Sequence, residues 1–245
     1  MPMSSGVKRK KSSWKRIVLK LSGETLVGIG HHGFASEPLH YIANEIKAAS
    51  ACGCQIAIVI GGGNLVRGAE IEPVGIDRTS ADFMGMLATI INGVALQTVL
   101  ESVGLTTRLL SALPMSQVAE PFIRRRAIRH LEKGRIVICV GGTGSPHFTT
   151  DTAAALRATE IGADVIVKGT KEDGIFTADP RKDKKARLYD KISYQDILKK
   201  NLRVMDLTAI TLSHEYKIPV VVFNVFKKGN LSRLLAGEKI GTEIQ

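Results

Sequence analysis

The chain has 245 residues, 44% hydrophobic but only 5% aromatic, a balance that suits one α/β domain with an aliphatic core. Its three cysteines, Cys52, Cys54 and Cys139, form no spacing framework and exclude a secreted disulfide scaffold, and Cys52-Gly53-Cys54 lacks a second Cys/His pair for zinc. The formal net charge of +11 points to a polyanionic partner, and no run of about 18 apolar residues is evident, so the reading is a soluble, cytoplasmic protein.

Residues 1–15 are basic and Ser-rich, with Lys8, Arg9, Lys10, Lys11 and Lys15, and read as a disordered tail before a single domain over residues 16–245. An apolar strand is expected over 16–21, then a loop to Ser36. Ser36 is expected to cap a helix in which Leu39, Ile42, Ala43, Ile46 and Ala49 keep helical spacing, ending at Gly53. A strand follows at 55–60, broken by Gly61-Gly62-Gly63-Asn64, and then a long helix over 82–100. Strands at 107–111, 135–140, 164–168 and 220–224 alternate with helices at 121–133, 151–161, 194–200 and 206–216. That alternation predicts a three-layer α/β/α sandwich with a mostly parallel central sheet.

Three expected strands end in loops of one physical type: Lys20-Leu21-Ser22-Gly23, Gly61-Gly62-Gly63-Asn64 and Gly141-Gly142-Thr143-Gly144-Ser145. Glycine lets backbone N–H groups approach a phosphate closely, and a following helix adds its positive N-terminal end. In an open parallel sheet such loops share one edge, where ligands bind. No Gly-x4-Gly-Lys-Ser/Thr is present, which disfavours a P-loop enzyme. Gly28-Ile29-Gly30-His31-His32-Gly33 matches G-x-G-x-x-G literally but starts too far past the first strand, so it reads as a surface loop with solvated histidines.

The chain resembles the bacterial uridylate (UMP) kinases of the amino-acid-kinase family. The resemblance rests on Lys20-Leu21-Ser22-Gly23-Glu24, Ile60-Gly61-Gly62-Gly63-Asn64-Leu65 with Arg67-Gly68, and Asp82-Phe83-Met84-Gly85-Met86-Leu87-Ala88-Thr89. It continues through 142–151, 173–180 and Val204-Met205-Asp206-Leu207. It implies ATP- and Mg2+-dependent phosphorylation of UMP to UDP in pyrimidine biosynthesis toward CTP, a homohexamer, and allosteric feedback inhibition by UTP. By resemblance, Lys20, Leu21, Ser22, Gly23, Gly63, Arg67, Thr170, Phe176 and Asp179 would hold ATP. Gly62, Asp82, Thr143, Gly144, Ser145, Pro146, His147, Phe148, Thr149 and Thr150 would hold UMP.

Transfer to a nucleoside monophosphate needs little covalent help, because the acceptor is already an anion; positioning and charge do the rest. The expected catalytic groups are Lys20, Arg67 and Asp151, with Asp151 also a possible Mg2+ ligand. Asp151 and Asp82 each have a plainer reading as a helix cap. Arg124-Arg125-Arg126 with Arg129 reads as a solvated helix face or subunit contact, with a phosphate effector as the alternative. Two other functions compete: a kinase of the same fold with another acceptor, and a nucleic-acid-binding module. The basic runs have no interleaved aromatics, which argues against the second.

Overall fold

Ile17, Leu19 and Leu21 bury on one face of the first strand while Val18 buries on the other, and this two-sided burial sets the architecture. A strand covered on both faces reads as an unbroken apolar run. The computed structural model describes residues 12–27, 33–66, 75–202 and 204–245. The expected Arg67 and the glycine–histidine segment 28–32 lie outside the described residues.

In chain order the elements are β1 (Arg16–Leu21), a 3-10 turn (Gly23–Leu26), α1 (Ser36–Ser50), β2 (Gln55–Ile60), α2 (Arg78–Ser102), β3 (Thr107–Ser111), β4 (Glu120–Pro121) and α3 (Arg124–Glu132). They continue with β5 (Ile136–Val140), α4 (Thr150–Ile161), β6 (Val165–Thr170), β7 (Lys191–Ile192), α5 (Tyr194–Lys199), α6 (Leu207–Glu215), β8 (Val220–Asn224), α7 (Asn230–Leu235) and β9 (Thr242–Ile244). The strands form one sheet of order β4-β3-β5-β2-β1-β6-β8-β9-β7. All its pairings are parallel except β8 with β9.

One face packs against α1, α2 and α7 through Ile42, Ile46, Leu96, Leu100 and Leu231. The other packs against α3 to α6 through Leu131, Ala154, Ala158, Tyr194 and Ile210. Each fully buried Ile or Leu contributes about 1.5–3 kcal/mol. The expected three-layer α/β/α sandwich is present.

Several boundaries differ from the sequence reading. Helix α2 begins at Arg78, not at residue 82, because Asp77 caps it by accepting from Ser80 N at 3.1 Å. Residues 78–81 carry no apolar period, so the first turn was silent. Ser36 is the first residue of α1, and the capping position is Ala35, without a side-chain bond. Asp151 is not the cap of α4; Thr149 is, and its hydroxyl accepts from Asp151 N at 3.0 Å. The short strands β4, β7 and β9, the 3-10 turn and α7 were not foreseen, since pieces of two to six residues show no resolvable period.

The described end of the basic leading segment is anchored. Ser12 N bonds Cys52 O at 3.2 Å, Ser13 N bonds Leu235 O at 3.0 Å, and Trp14 packs on the core. Helix α2 is long and apolar enough, by length and composition, to cross a membrane, which the sequence reading did not register. Its Ile90, Leu96 and Leu100 are buried against the sheet, as in a core helix. Three arginines of α3 have local partners: Arg124 donates to Glu160 O, Arg126 lies 3.6 Å from Glu120 and Arg129 lies 3.9 Å from Glu132.

Candidate active site

Strand β1 has β2 on one side and β6 on the other, so the chain reverses its direction of sheet growth between β1 and β6. A crevice opens at the carboxyl ends of strands where such a reversal occurs. Lys20 on β1 and Lys168 on β6 are register partners there. Both reach one carboxylate: Lys20 Nζ lies 2.8 Å from Asp151 Oδ1, and Lys168 Nζ lies 2.6 Å from Asp151 Oδ2. Oδ1 is buried and has no partner beyond the Lys20 ammonium. Lys168 also donates to Val204 O at 2.5 Å.

Burial works to raise the Asp151 pKa, but Lys20 and Lys168 overcome it and hold the carboxyl below its ordinary value. Lys168 is held below the usual lysine value by burial and by the neighbouring Lys20, against the pull of Asp151. The three groups carry two positive charges and one negative, with the Asp206 carboxylate acting on Lys168 from the side.

The N-termini of α4 and α6 meet here. Asp206 caps α6, accepting from Ala209 N at 2.9 Å, and also accepts from the hydroxyls of Thr149 and, at 2.8 Å, Thr152 on the α4 side. One carboxylate thus ties together two helix starts whose positive ends favour phosphate.

The glycine loops converge on the same edge. A Cβ on Gly61 would stand 3.2 Å from Gly23 N and 3.5 Å from Thr150 Oγ1, so the ends of β1 and β2 and the start of α4 touch. A Cβ on Gly62 would stand 2.7 Å from Gly85 O and 2.8 Å from the Ala88 Cβ, and only glycine lets this loop lie on α2. Asn64 and Asn92 exchange amide hydrogen bonds at 3.0 and 2.6 Å, and Asn92 Nδ2 also donates to Gly61 O at 2.7 Å. Thr89 Oγ1 accepts from Gly141 N at 2.8 Å. The helix α2 therefore holds two of the three loops.

Between them lies a cleft of about 150 Å3, lined in part by Gly62, Gly63, Asp82, Gly142, Phe148 and Thr150. Asp82 is inside α2, not at its cap; its Oδ2 accepts from His147 N at 2.8 Å and its Oδ1 from Arg78 Nε at 2.9 Å. It pins the 143–150 loop, in which Ser145 N bonds Thr143 Oγ1 at 3.2 Å, and Gly144 and His147 take positive φ. Pro146 completes that turn half-buried, beside exposed Ser145 and His147.

Not every expected residue joins this centre. The Leu21 side chain is fully buried in the core, which leaves only its backbone for a ligand, and Ser22 caps the 3-10 turn without a side-chain bond. Thr170 ends β6 and donates to Glu172 O at 2.9 Å. Phe176 bridges to Leu188, and exposed Asp179 accepts from Arg181 N at 3.0 Å, both outside the 150 Å3 cleft. The sequence reading missed Lys168 and Asn92, and it quoted Thr89 and Asp206 within motifs without giving them a role. Lys168 was findable, because it stands late in an apolar strand as Lys20 does.

A reversal point lined with lysines and amide-rich turns defines an α/β kinase-like protein that gathers phosphates without a P-loop. The chain belongs to the amino acid kinase family, which matches residues 15–224, and within it to the bacterial-type uridylate kinase branch. It is 56% identical over 230 residues to a Salinibacter ruber (strain DSM 13855 / M31) protein named uridylate kinase, covering 94% of this chain and 89% of that one. The crystal structure of UMP kinase from Bacillus anthracis matches with a TM-score of 0.93 at 43% identity, covering 95% of this chain and 96% of that one. UMP kinase from Ureaplasma parvum gives a TM-score of 0.89 at 35% identity, over 94% of this chain and 98% of that one. Uridylate kinase from Archaeoglobus fulgidus gives 0.72 at 30% identity, over 94% and 99%.

Proposed function

We propose that this chain transfers the γ-phosphoryl group of ATP to the phosphate of UMP, yielding ADP and UDP. The observation that carries the reading is the Lys20–Asp151–Lys168 cluster at the sheet's reversal point, beside a cleft lined by Gly62, Asp82 and Thr150. The names of the relatives supply the acceptor.

A UMP phosphate oxygen attacks the γ-phosphorus, and the bond from that phosphorus to the β–γ bridging oxygen breaks. No base is needed, since the acceptor oxygen is already anionic. Lys20 and Arg67 steady the transferring oxygens, and Asp151 orients Lys20. Backbone at Lys20, Leu21, Ser22, Gly23 and Gly63 holds the ATP phosphates, with Thr170, Phe176 and Asp179 on the adenosine. Gly62, Asp82 and 143–150 hold UMP, Asp82 accepting from ribose hydroxyls.

A Mg2+ ion would arrive with the nucleotide and supply charge neutralisation of the phosphate oxygens. Asp151 is the carboxylate expected to meet it, but both its oxygens already pair with lysine ammoniums, and the described residues include no cluster of three or more His, Cys, Asp or Glu that could hold a metal alone. The chain works as a cytoplasmic homohexamer in pyrimidine nucleotide synthesis, with UTP as feedback inhibitor. Exposed Phe83, Met84, Leu87, Ile91 and Val94 along α2 support self-association.

ADP release is to be measured with UMP, CMP, aspartate, acetylglutamate and isopentenyl phosphate as acceptors, with and without UTP and GTP. UMP-dependent release suppressed by UTP is expected. Release with another acceptor and none with UMP would overturn the assignment.

A further inference from the structure

Arg157 on α4 is a buried cation that the chemistry above leaves unused; the residue is only 4% exposed. A guanidinium taken out of water is costly unless its charge and its donors are met. Here its plane lies 3.8 Å from the centroid of the Phe122 ring, and Nη1 donates to the Glu160 carboxylate further along α4. Glu160 balances the charge, so the pair offers little field to a nucleotide. What it offers is direction: Nη2 donates to Gly142 O at 3.4 Å.

Gly142 lines the cleft assigned to UMP and has a φ of 59°, following Gly141 at 76°. Glycines have no side chains to fix such a turn, so it is held by contacts from outside. Gly141 N donates to Thr89 Oγ1 at 2.8 Å, and His147 N donates to Asp82 Oδ2 at 2.8 Å. Both partners belong to α2, on one face of the sheet, whereas Arg157 reaches the turn from the helix layer on the other face. Phe122, which sets the guanidinium plane, is itself tied down, its N donating to Ser111 O at 2.8 Å.

We propose that Arg157 is a positioning residue for the acceptor nucleotide: clamped by Phe122 and Glu160, it holds the Gly142 carbonyl and with it the start of the turn that receives UMP. The inference rests on the UMP reading of the cleft and deepens it. It requires that Arg157 act through the loop, without touching either nucleotide.

The test compares wild type with Arg157→Met, Arg157→Lys and Phe122→Leu. It reads Kd for UMP and for ATP by calorimetry, steady-state constants, and amide hydrogen exchange along residues 141–147. Arg157→Met should raise Kd and KM for UMP about tenfold, the scale of one lost hydrogen bond from a charged donor, with kcat and Kd for ATP within about threefold. Amides of 141–147 should exchange faster while those of 20–24 keep the wild-type rate. Arg157→Lys, which keeps a charged donor, should recover part of the UMP affinity, and Phe122→Leu should weaken UMP in the same selective way. An unchanged Kd for UMP in folded Arg157→Met, or equal losses for UMP and ATP, would overturn the role. Should Arg157→Met fail to fold, Phe122→Leu decides: a selective loss of UMP affinity supports the role and an unchanged Kd overturns it. If wild type uses an acceptor other than UMP, the parent reading fails, and the same constants are read with that acceptor.

Discussion

Lys20 and Asp151 illustrate how one contact serves both stability and chemistry. Both are nearly buried, and a buried ion pair is costly unless each charge is compensated. Here two lysine ammoniums compensate the Asp151 carboxylate. Lys20→Ala is expected to lower kcat by ~10²–10³-fold, the scale of losing one preorganised donor; near-normal turnover by a folded variant would contradict the role. Acidity probes the same pair. Against the effect of burial, Lys20 and Lys168 depress the Asp151 pKa below 3.8, so the folded state binds fewer protons than the unfolded one near that pH. The stability gained is complete above about pH 4 and is lost as pH falls through the folded value. Urea midpoints followed from pH 6 to 2 should therefore drop more steeply in wild type than in Asp151→Asn. Lys168 has the same sign of pH dependence at high pH: its depressed pKa makes its contribution, unfavourable below the folded value, improve as pH rises toward 10.5.

At the scale of elements, the site depends on helix starts and on one helix–loop contact. Asp206 caps α6 and accepts from two threonines of the α4 start. Asp206→Ala should destabilise the fold by about 1–2 kcal/mol, measured by urea unfolding, because it removes a cap and leaves hydroxyls unpartnered. The Gly62 loop lies against α2 so closely that an added methyl meets the Gly85 carbonyl. Gly62→Ala must push the loop or helix apart and should reduce kcat/KM for UMP by as much as ~10²-fold, with a smaller effect on KM for ATP. Equal effects on both substrates would place the cleft elsewhere. Little of this was legible in advance. The glycine run announced a tight approach, but nothing in residues 61–64 said that the opposing surface would be α2 or that Asn92 would meet Asn64.

For the whole molecule, α2 has two jobs. Its inner face joins the core, while Phe83, Leu87 and Ile91 form an exposed apolar stripe on the outside. If the proposed self-association uses this stripe, the paired change Leu87→Asp with Ile91→Asp should reduce the molar mass seen by light scattering; an unchanged mass would exclude this face from the proposed contact. The sequence alone determined the α/β alternation, the central strands and the three glycine turns, because apolar period and glycine placement are local properties of the chain. It also determined Lys20 as a cation at a strand end. Tertiary structure decided that Lys168 is its neighbour, that Asp151 stands between them and that Thr149, not Asp151, caps α4. Strand order brings residues 20, 151 and 168 together across more than a hundred positions, and no local pattern encodes which strands become neighbours.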